Sequence, residues 1–158
     1  MIPYGRHFIE EDDIDAVVDV LRNGLLTQGP KIDEFEANVA EQVGAKYAVA
    51  VSSATAGLHL ACMVVGLSEG DKALVAPMTF VSTPNAVLYC EAQPVFVDID
   101  PETLNMCPNE LRKELSQTTG VKAVLPVHFG GLTCDMEAIA SIAMPAGVKI
   151  IEDAAHAL

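Results

Sequence analysis

The sequence predicts an α/β fold on a mostly parallel sheet. Five short apolar runs, at 47–51, 73–77, 94–99, 123–127 and 148–152, have the near-continuous Val, Ile and Ala character of buried strands. Segments with helical periodicity separate them. Strands alternating with helices in this way build layered sheets of parallel strands.

Each element has its own local signals. In "EEDDIDAVVDVLRNG" the acids load the first turn, and Ile14, Val17, Val18 and Leu21 form an apolar stripe that Gly24 closes. "LLTQGP" is a turn. A second helix follows in "PKIDEFEANVAEQVG", with Pro30 at its first position, a stripe of Ile32, Phe35, Val39 and Val43, and Gly44 at its end. The strand "YAVAV" leads through "SSAT" to a helix over about 55–66. That helix is apolar on more than one face, through Leu58, Leu60, Cys62, Met63, Val64 and Val65, and is expected to be deeply buried or shared with a partner chain. "ALVAP" and "MTF" lead to a helix over about 81–91, and "PVFVDI" leads by a long loop to one near 108–116. "AVLPV" and "HFGGLTCD" precede a helix capped by Asp135, and "VKIIE" is the fifth strand. No linker, low-complexity tract or repeat divides the chain, which reads as one domain.

Composition narrows the function. At 158 residues, 51 % hydrophobic and 20 % charged, the chain is of a globular class with room for a real core. The net charge of −13, with the bases scattered singly, argues against nucleic-acid binding, which draws on a basic face. No apolar run approaches the roughly 20 residues that span a bilayer. The amino terminus lacks a signal-peptide pattern, so a cytoplasmic location is expected. Cys62, Cys90, Cys107 and Cys134 form no C-x-x-C pair and read as reduced thiols.

Polar residues collect after the strands, where open parallel sheets bind ligands. Ser52, Ser53 and Thr55 follow the first run, Thr79 and Phe80 the second, and Asp98 and Asp100 the third. His128 with Gly130 and Gly131 follows the fourth, and Glu152, Asp153 and His156 the fifth. "SSAT" reads either as a helix cap or as a phosphate cradle at a helix amino terminus, and no Walker or G-x-G-x-x-G pattern accompanies it. Phe80 is either a core or lid residue or a surface on which a planar ring stacks. His128 is either a ligand contact or a satisfied loop histidine. Asp153, on a buried strand end, requires a cationic partner or several donors to stay charged, and a protonated pyridine nitrogen would serve.

The stretches "YGRHFIEEDDIDAVVDVLRNGLLTQGP", "NAVLYCEAQPVFVDID", "PVHFGG" with "CDMEAI", and "IEDAAHA" resemble the DegT/DnrJ/StrS sugar aminotransferases, from Tyr4 to Leu158. The resemblance implies a pyridoxal 5′-phosphate enzyme with the three-layer, aspartate aminotransferase-like large domain. Residues 1–158 would comprise an amino-terminal arm and part of that domain, with the small carboxyl-terminal domain absent. By the same resemblance, Ala54 and Thr55 hold the cofactor phosphate, Phe80 stacks on its ring, Asp153 pairs with the ring nitrogen, and His156 lies on the ring-hydroxyl side. Tyr4, Gly24, Leu25, Leu26 and Thr27 match a segment that contacts a nucleotide-sugar. The implied reaction moves an amino group from an amino acid, expected to be glutamate, to a keto-sugar, in a homodimer whose cofactor lies between subunits. The "SAT" turn is similar to that of UDP-sugar C4 aminotransferases of the pseudaminic acid type.

The family's Schiff-base lysine has no counterpart up to Leu158, and the chain as it stands is expected to be inactive. Lys149 is four strand residues before Asp153, roughly 13 Å away at about 3.3 Å per residue. Lys46 and Lys72 precede their strands, and Lys31, Lys113 and Lys122 lie on a helix or in loops. The alternatives are a non-catalytic short paralogue that binds a phosphate ligand or partner chain, and a sugar dehydratase with histidine in place of the lysine.

Overall fold

The computed structural model describes residues 7–157. The chain divides into two compact units, Met1–Ala50 and Val51–Leu158. The first holds helices α1 (Glu11–Asn23) and α2 (Pro30–Gln42). Glu11, Asp12 and Asp13 load the first turn of α1, and the Asp13 carboxylate accepts the Glu10 N–H at 3.0 Å. Pro30 opens α2, where a missing N–H costs no hydrogen bond. The turn between the helices depends on Gly29, since a Cβ there would lie 2.5 Å from the Leu25 carbonyl oxygen. The apolar stripes predicted for both helices are present but mostly exposed, with Val18 and Val39 half-buried, and neither helix has a buried residue.

The predicted first strand, 47–51, is not one. The segment joins no ladder among the described residues, and Tyr47 and Val49 are 76 % and 75 % exposed. Its composition suits a strand, but a ladder requires a neighbour, and none of the four strands pairs with it.

The second unit begins with α3 (Ala54–Val64) and then alternates β1 (Lys72–Val75), α4 (Ser82–Leu88), β2 (Gln93–Phe96), α5 (Pro108–Gln117), β3 (Val121–Leu125), α6 (Met136–Ala143) and β4 (Lys149–Ile150). The other four predicted strands are these four, shorter by a residue or more at their carboxyl ends. They form one parallel sheet in the order β2-β1-β3-β4.

The period of two along each strand sorts the core into two halves. Leu74, Val124, Val148 and Ile150 pack with Leu111 of α5 and with Ile139 and Ile142 of α6. Ala73, Val75, Ala123, Leu125 and Ile151 pack with Leu58 and Cys62 of α3 and with Ala86 and Val87 of α4. The result is three layers, α3 and α4 on one face of the sheet and α5 and α6 on the other. This distribution follows from chain direction. The β1-to-β2 crossover moves one way along the sheet, while β2-to-β3 and β3-to-β4 move the other. Crossovers of one hand running in opposite directions place their helices on opposite faces.

Of the two expectations for α3, deep burial is met only in part within this chain. Leu58 and Cys62 enter the core, while Leu60, Met63 and Val64 remain exposed. The four cysteines are free thiols. Burial pushes the Cys62 thiol up to about 11 and raises Cys90 and Cys134 as well, so these thiols are poor nucleophiles. Among the described residues no helix is long and apolar enough to cross a membrane.

At the amino-terminal edge of the sheet, Lys122 of β3 ties the α3–β1 connection down. Its Nζ lies 2.9 Å from Asp71 Oδ2 and donates to the Gly66 carbonyl at 3.1 Å. Asp71 also accepts from the Ser68 N–H and hydroxyl, at 2.9 and 2.8 Å. The Lys122 ammonium, then the Ser68 hydroxyl, hold the Asp71 carboxyl below its ordinary 3.8. A depressed folded value means that this stabilisation is present above the ordinary carboxylate range and disappears as pH falls through the folded value. Thermal melts of the wild type and Asp71→Asn should therefore differ near neutral pH and converge under acid; a constant gap would refute the coupling. Leu74, wholly buried on a central strand, makes a second test. Leu74→Ala should destabilise the fold by about 2–5 kcal/mol in denaturant titration, the usual cost of such a cavity.

Candidate active site

The strand order reverses between β1 and β3. The chain leaves β1 toward α4 on one face and leaves β3 toward α6 on the other, which opens a crevice beyond the carboxyl ends of the strands. Asp153 sits there. An isolated parallel bridge between Val127 and Asp153 extends the β3–β4 pairing past the ladder. The Asp153 N–H donates to the Pro126 carbonyl at 2.9 Å, and the His128 N–H donates to the Asp153 carbonyl at 3.1 Å. The backbone of Asp153 is thereby fixed.

The Asp153 side chain is 6 % exposed and on the α3–α4 side of the sheet. Its Oδ2 accepts from the Thr83 hydroxyl at 2.6 Å, and its Oδ1 from the Ala155 N–H at 3.2 Å. Thr83, fully buried in the first turn of α4, is in turn 2.6 Å from the Thr79 hydroxyl. No basic side chain pairs with Asp153 among the described residues. A buried carboxylate held only by neutral donors is suited to receive a cation from a ligand.

An open cavity of about 300 Å³ lies between α3 and the segment after β4, lined by Ala54, Gly57, Leu58, Ala61 and the segment 151–155. The α3 amino terminus borders it. Ser53 caps the helix, its Oγ accepting the Ala56 N–H at 3.2 Å, and its carbonyl takes the Gly57 N–H at 3.1 Å. The N–H groups of Ala54 and Thr55 have no acceptor among the described residues. The helix-cap reading of "SSAT" holds. The serine is a cap, and two free amides remain at the positive end of an 11-residue helix.

His128 is a satisfied histidine. It is buried, its Nδ1 accepts the Cys134 N–H at 3.1 Å, and its Nε2 lies 2.9 Å from Glu152 Oε2. An acceptor Nδ1 places the proton on Nε2, which donates to the Glu152 carboxylate. Buried Asn105 fastens the same turn, accepting the Phe129 N–H at 3.0 Å and donating to the Leu132 carbonyl at 2.9 Å. At Gly131, where φ is +88°, a Cβ would lie 3.0 Å from the His156 carbonyl oxygen. Only glycine lets the 128–132 and 153–157 turns meet this closely.

Of the residues proposed from sequence, Ala54 and Asp153 line the cavity, and Thr55 follows at the same helix end. Phe80 does not line it. It projects from the β1–α4 turn, 75 % exposed, with its carbonyl accepting the Thr83 N–H at 3.2 Å. His156 is exposed and contributes only its carbonyl to the turn contact. Gly24, Leu25, Leu26 and Thr27 belong to the first unit, as exposed residues of the α1–α2 connection, and Tyr4 lies outside the described residues. Thr83 and Asn105 were not singled out from sequence. The signal for Thr83 was a second threonine four residues after Thr79, on the same face of a helix start.

The sequence and the fold have close relatives. The sequence profile of the DegT/DnrJ/EryC1/StrS aminotransferase family matches residues 7–158. The spore coat polysaccharide biosynthesis protein SpsC of Bacillus subtilis is 46 % identical over 157 residues, which are 99 % of this chain and 40 % of SpsC. The putative sugar aminotransferase Spr1654 of Streptococcus pneumoniae in its PMP-form superposes with a TM-score of 0.93 at 30 % identity, over 100 % of this chain and 43 % of that one; its PLP-form gives 0.91. The aminotransferase TlmJ of Streptoalloteichus hindustanus gives 0.90 at 35 % identity, over 99 % and 43 %. The chain thus spans about two fifths of the length of these relatives. A profile match across nearly all of its length, together with this fold, places the chain in the DegT/DnrJ/EryC1/StrS aminotransferase family.

Proposed function

We propose that this chain supplies the cofactor cradle of a sugar aminotransferase that uses pyridoxal phosphate. One observation carries the reading. Asp153 is a buried carboxylate without a cation among the described residues, and it faces a cavity bordered by two unengaged amides of a helix amino terminus. A planar, anionic ligand with a basic ring nitrogen meets both demands. The Ala54 and Thr55 amides, with the Thr55 hydroxyl, would hold its phosphate. The Asp153 carboxylate would accept the proton-bearing ring nitrogen and keep it charged, Phe80 would cover the ring face, and His156 would stand on the ring-hydroxyl side. When bound, pyridoxal phosphate supplies an electron sink for moving an amino group. The PLP- and PMP-forms of Spr1654 support this assignment.

The finer reading is amination of a nucleotide-linked 4-keto-6-deoxy sugar at C4, with glutamate as donor, for a cell-surface polysaccharide. The relation to SpsC and the "SAT" turn support it. Tyr4 and residues 24–27 are assigned to the nucleotide-sugar. None of the chain's six lysines lines the cavity, and Lys122, the lysine of β3, is held by Asp71 at the opposite edge of the sheet. Residues 7–157 therefore serve binding and ring electronics, and amino transfer requires a lysine from elsewhere. The exposed Leu60, Met63 and Val64 of α3 favour a homodimer, a cytoplasmic one in our reading.

Two measurements test this. Asp153→Asn should lower single-turnover transamination about a hundredfold or more while weakening cofactor binding far less, since the phosphate cradle is untouched. Near-normal turnover would remove Asp153 from its role. The 158-residue chain alone should bind pyridoxal phosphate without turnover, and borohydride should fix no stoichiometric adduct on any of its lysines. A single modified lysine that glutamate discharges would overturn the assignment.

A further inference from the structure

Thr83 has no role in the function described so far, yet it is wholly buried and makes the shortest hydrogen bond to Asp153. The geometry points to Thr83 as a positioning residue that commits Asp153 Oδ2 to the protein and leaves Oδ1 as the oxygen that meets a protonated ring nitrogen; this rests on the cofactor reading above. The hydroxyl has one proton. An ionised carboxylate only accepts, so that proton lies on the Thr83–Asp153 bond at 2.6 Å. The Thr79 hydroxyl, also at 2.6 Å, must then donate to the Thr83 oxygen, which gives the chain a single direction from Thr79 through Thr83 to Asp153.

The two carboxylate oxygens are unequal as a result. Oδ2 is held by a short bond from a rigid helix turn, while Oδ1 has only the longer 3.2 Å bond from the Ala155 N–H. The less engaged oxygen is the one free to take a second, charged donor. The Thr83 bond also fixes the carboxylate plane, because it arrives from α4 while the backbone of Asp153 is fixed by β3. Threonine suits this task. Its methyl group fills buried space, and its branched Cβ restricts the rotamers through which the hydroxyl could swing away.

The test uses the intact protein with pyridoxamine phosphate labelled with ¹⁵N in the ring, whose resonance separates pyridinium from neutral pyridine. Wild type and Thr83→Ser should show the pyridinium resonance. Thr83→Val, which keeps the shape and deletes the hydroxyl, should move it toward neutral pyridine and raise Kd roughly tenfold, the scale of one hydrogen bond to a charged group. A valine variant identical to wild type in both readouts would overturn the inference and leave the cofactor reading standing. So would serine and valine variants that are equally impaired, since shape would then matter and the hydroxyl would not. A wild type that fails to bind would overturn both. If Thr83→Val does not fold, as judged by melting, Thr79→Val carries the test: it should shift the resonance the same way but less, and an unchanged resonance would refute the relay.

Discussion

Two backbone hydrogen bonds, from Asp153 to Pro126 and from His128 to Asp153, hold the segment after β4 against the end of β3. The rest of the site depends on them. The β3–β4 ladder itself is short, pairing Ala123 with Lys149 and Val124 with Ile150. Beyond it the Val127–Asp153 bridge carries the pairing to the crevice and fixes which side chains face α3 and which face α6. The cavity, the Thr83 contact and the His128–Glu152 pair all descend from that register.

Around this anchor the elements divide the work. The α3 amino terminus contributes unengaged amides, the start of α4 contributes hydroxyls, and the 128–132 turn contributes a buried imidazole and a close glycine. None is reactive alone. Their value lies in being held by layers that pack independently on the two faces of one sheet.

Much of this was legible in the sequence because it is local. Pro30 opens its helix, and Asp135 caps its own by accepting the Ala138 N–H at 3.0 Å. The apolar runs at four strands were read correctly, most clearly at the central β1 and β3, where burial leaves a continuous signature. The run at 47–51 carries the same composition without a ladder, since pairing belongs to two segments and composition to one. Asp153 stood out as a carboxylate at a buried strand end. Thr83 did not, because its importance comes from a contact across 70 residues that no local pattern encodes. The choice between a ligand-binding and a satisfied His128 likewise needed the positions of Cys134 and Glu152.

The adjacent carboxylates Glu152 and Asp153 follow different fates through nothing but parity. On a strand, consecutive side chains leave by opposite faces, so Glu152 meets His128 while Asp153 turns to Thr83 and the cavity. Chemically the two are nearly interchangeable. Lengthening or shortening the chain by one residue between Ile150 and Glu152 would exchange their sides, presenting the longer acid to the cavity and the shorter one to the imidazole. What distinguishes the acid held by Thr83 from its neighbour held by His128 is thus a count of residues, and the strand's length is as much a determinant of chemistry here as any side chain upon it.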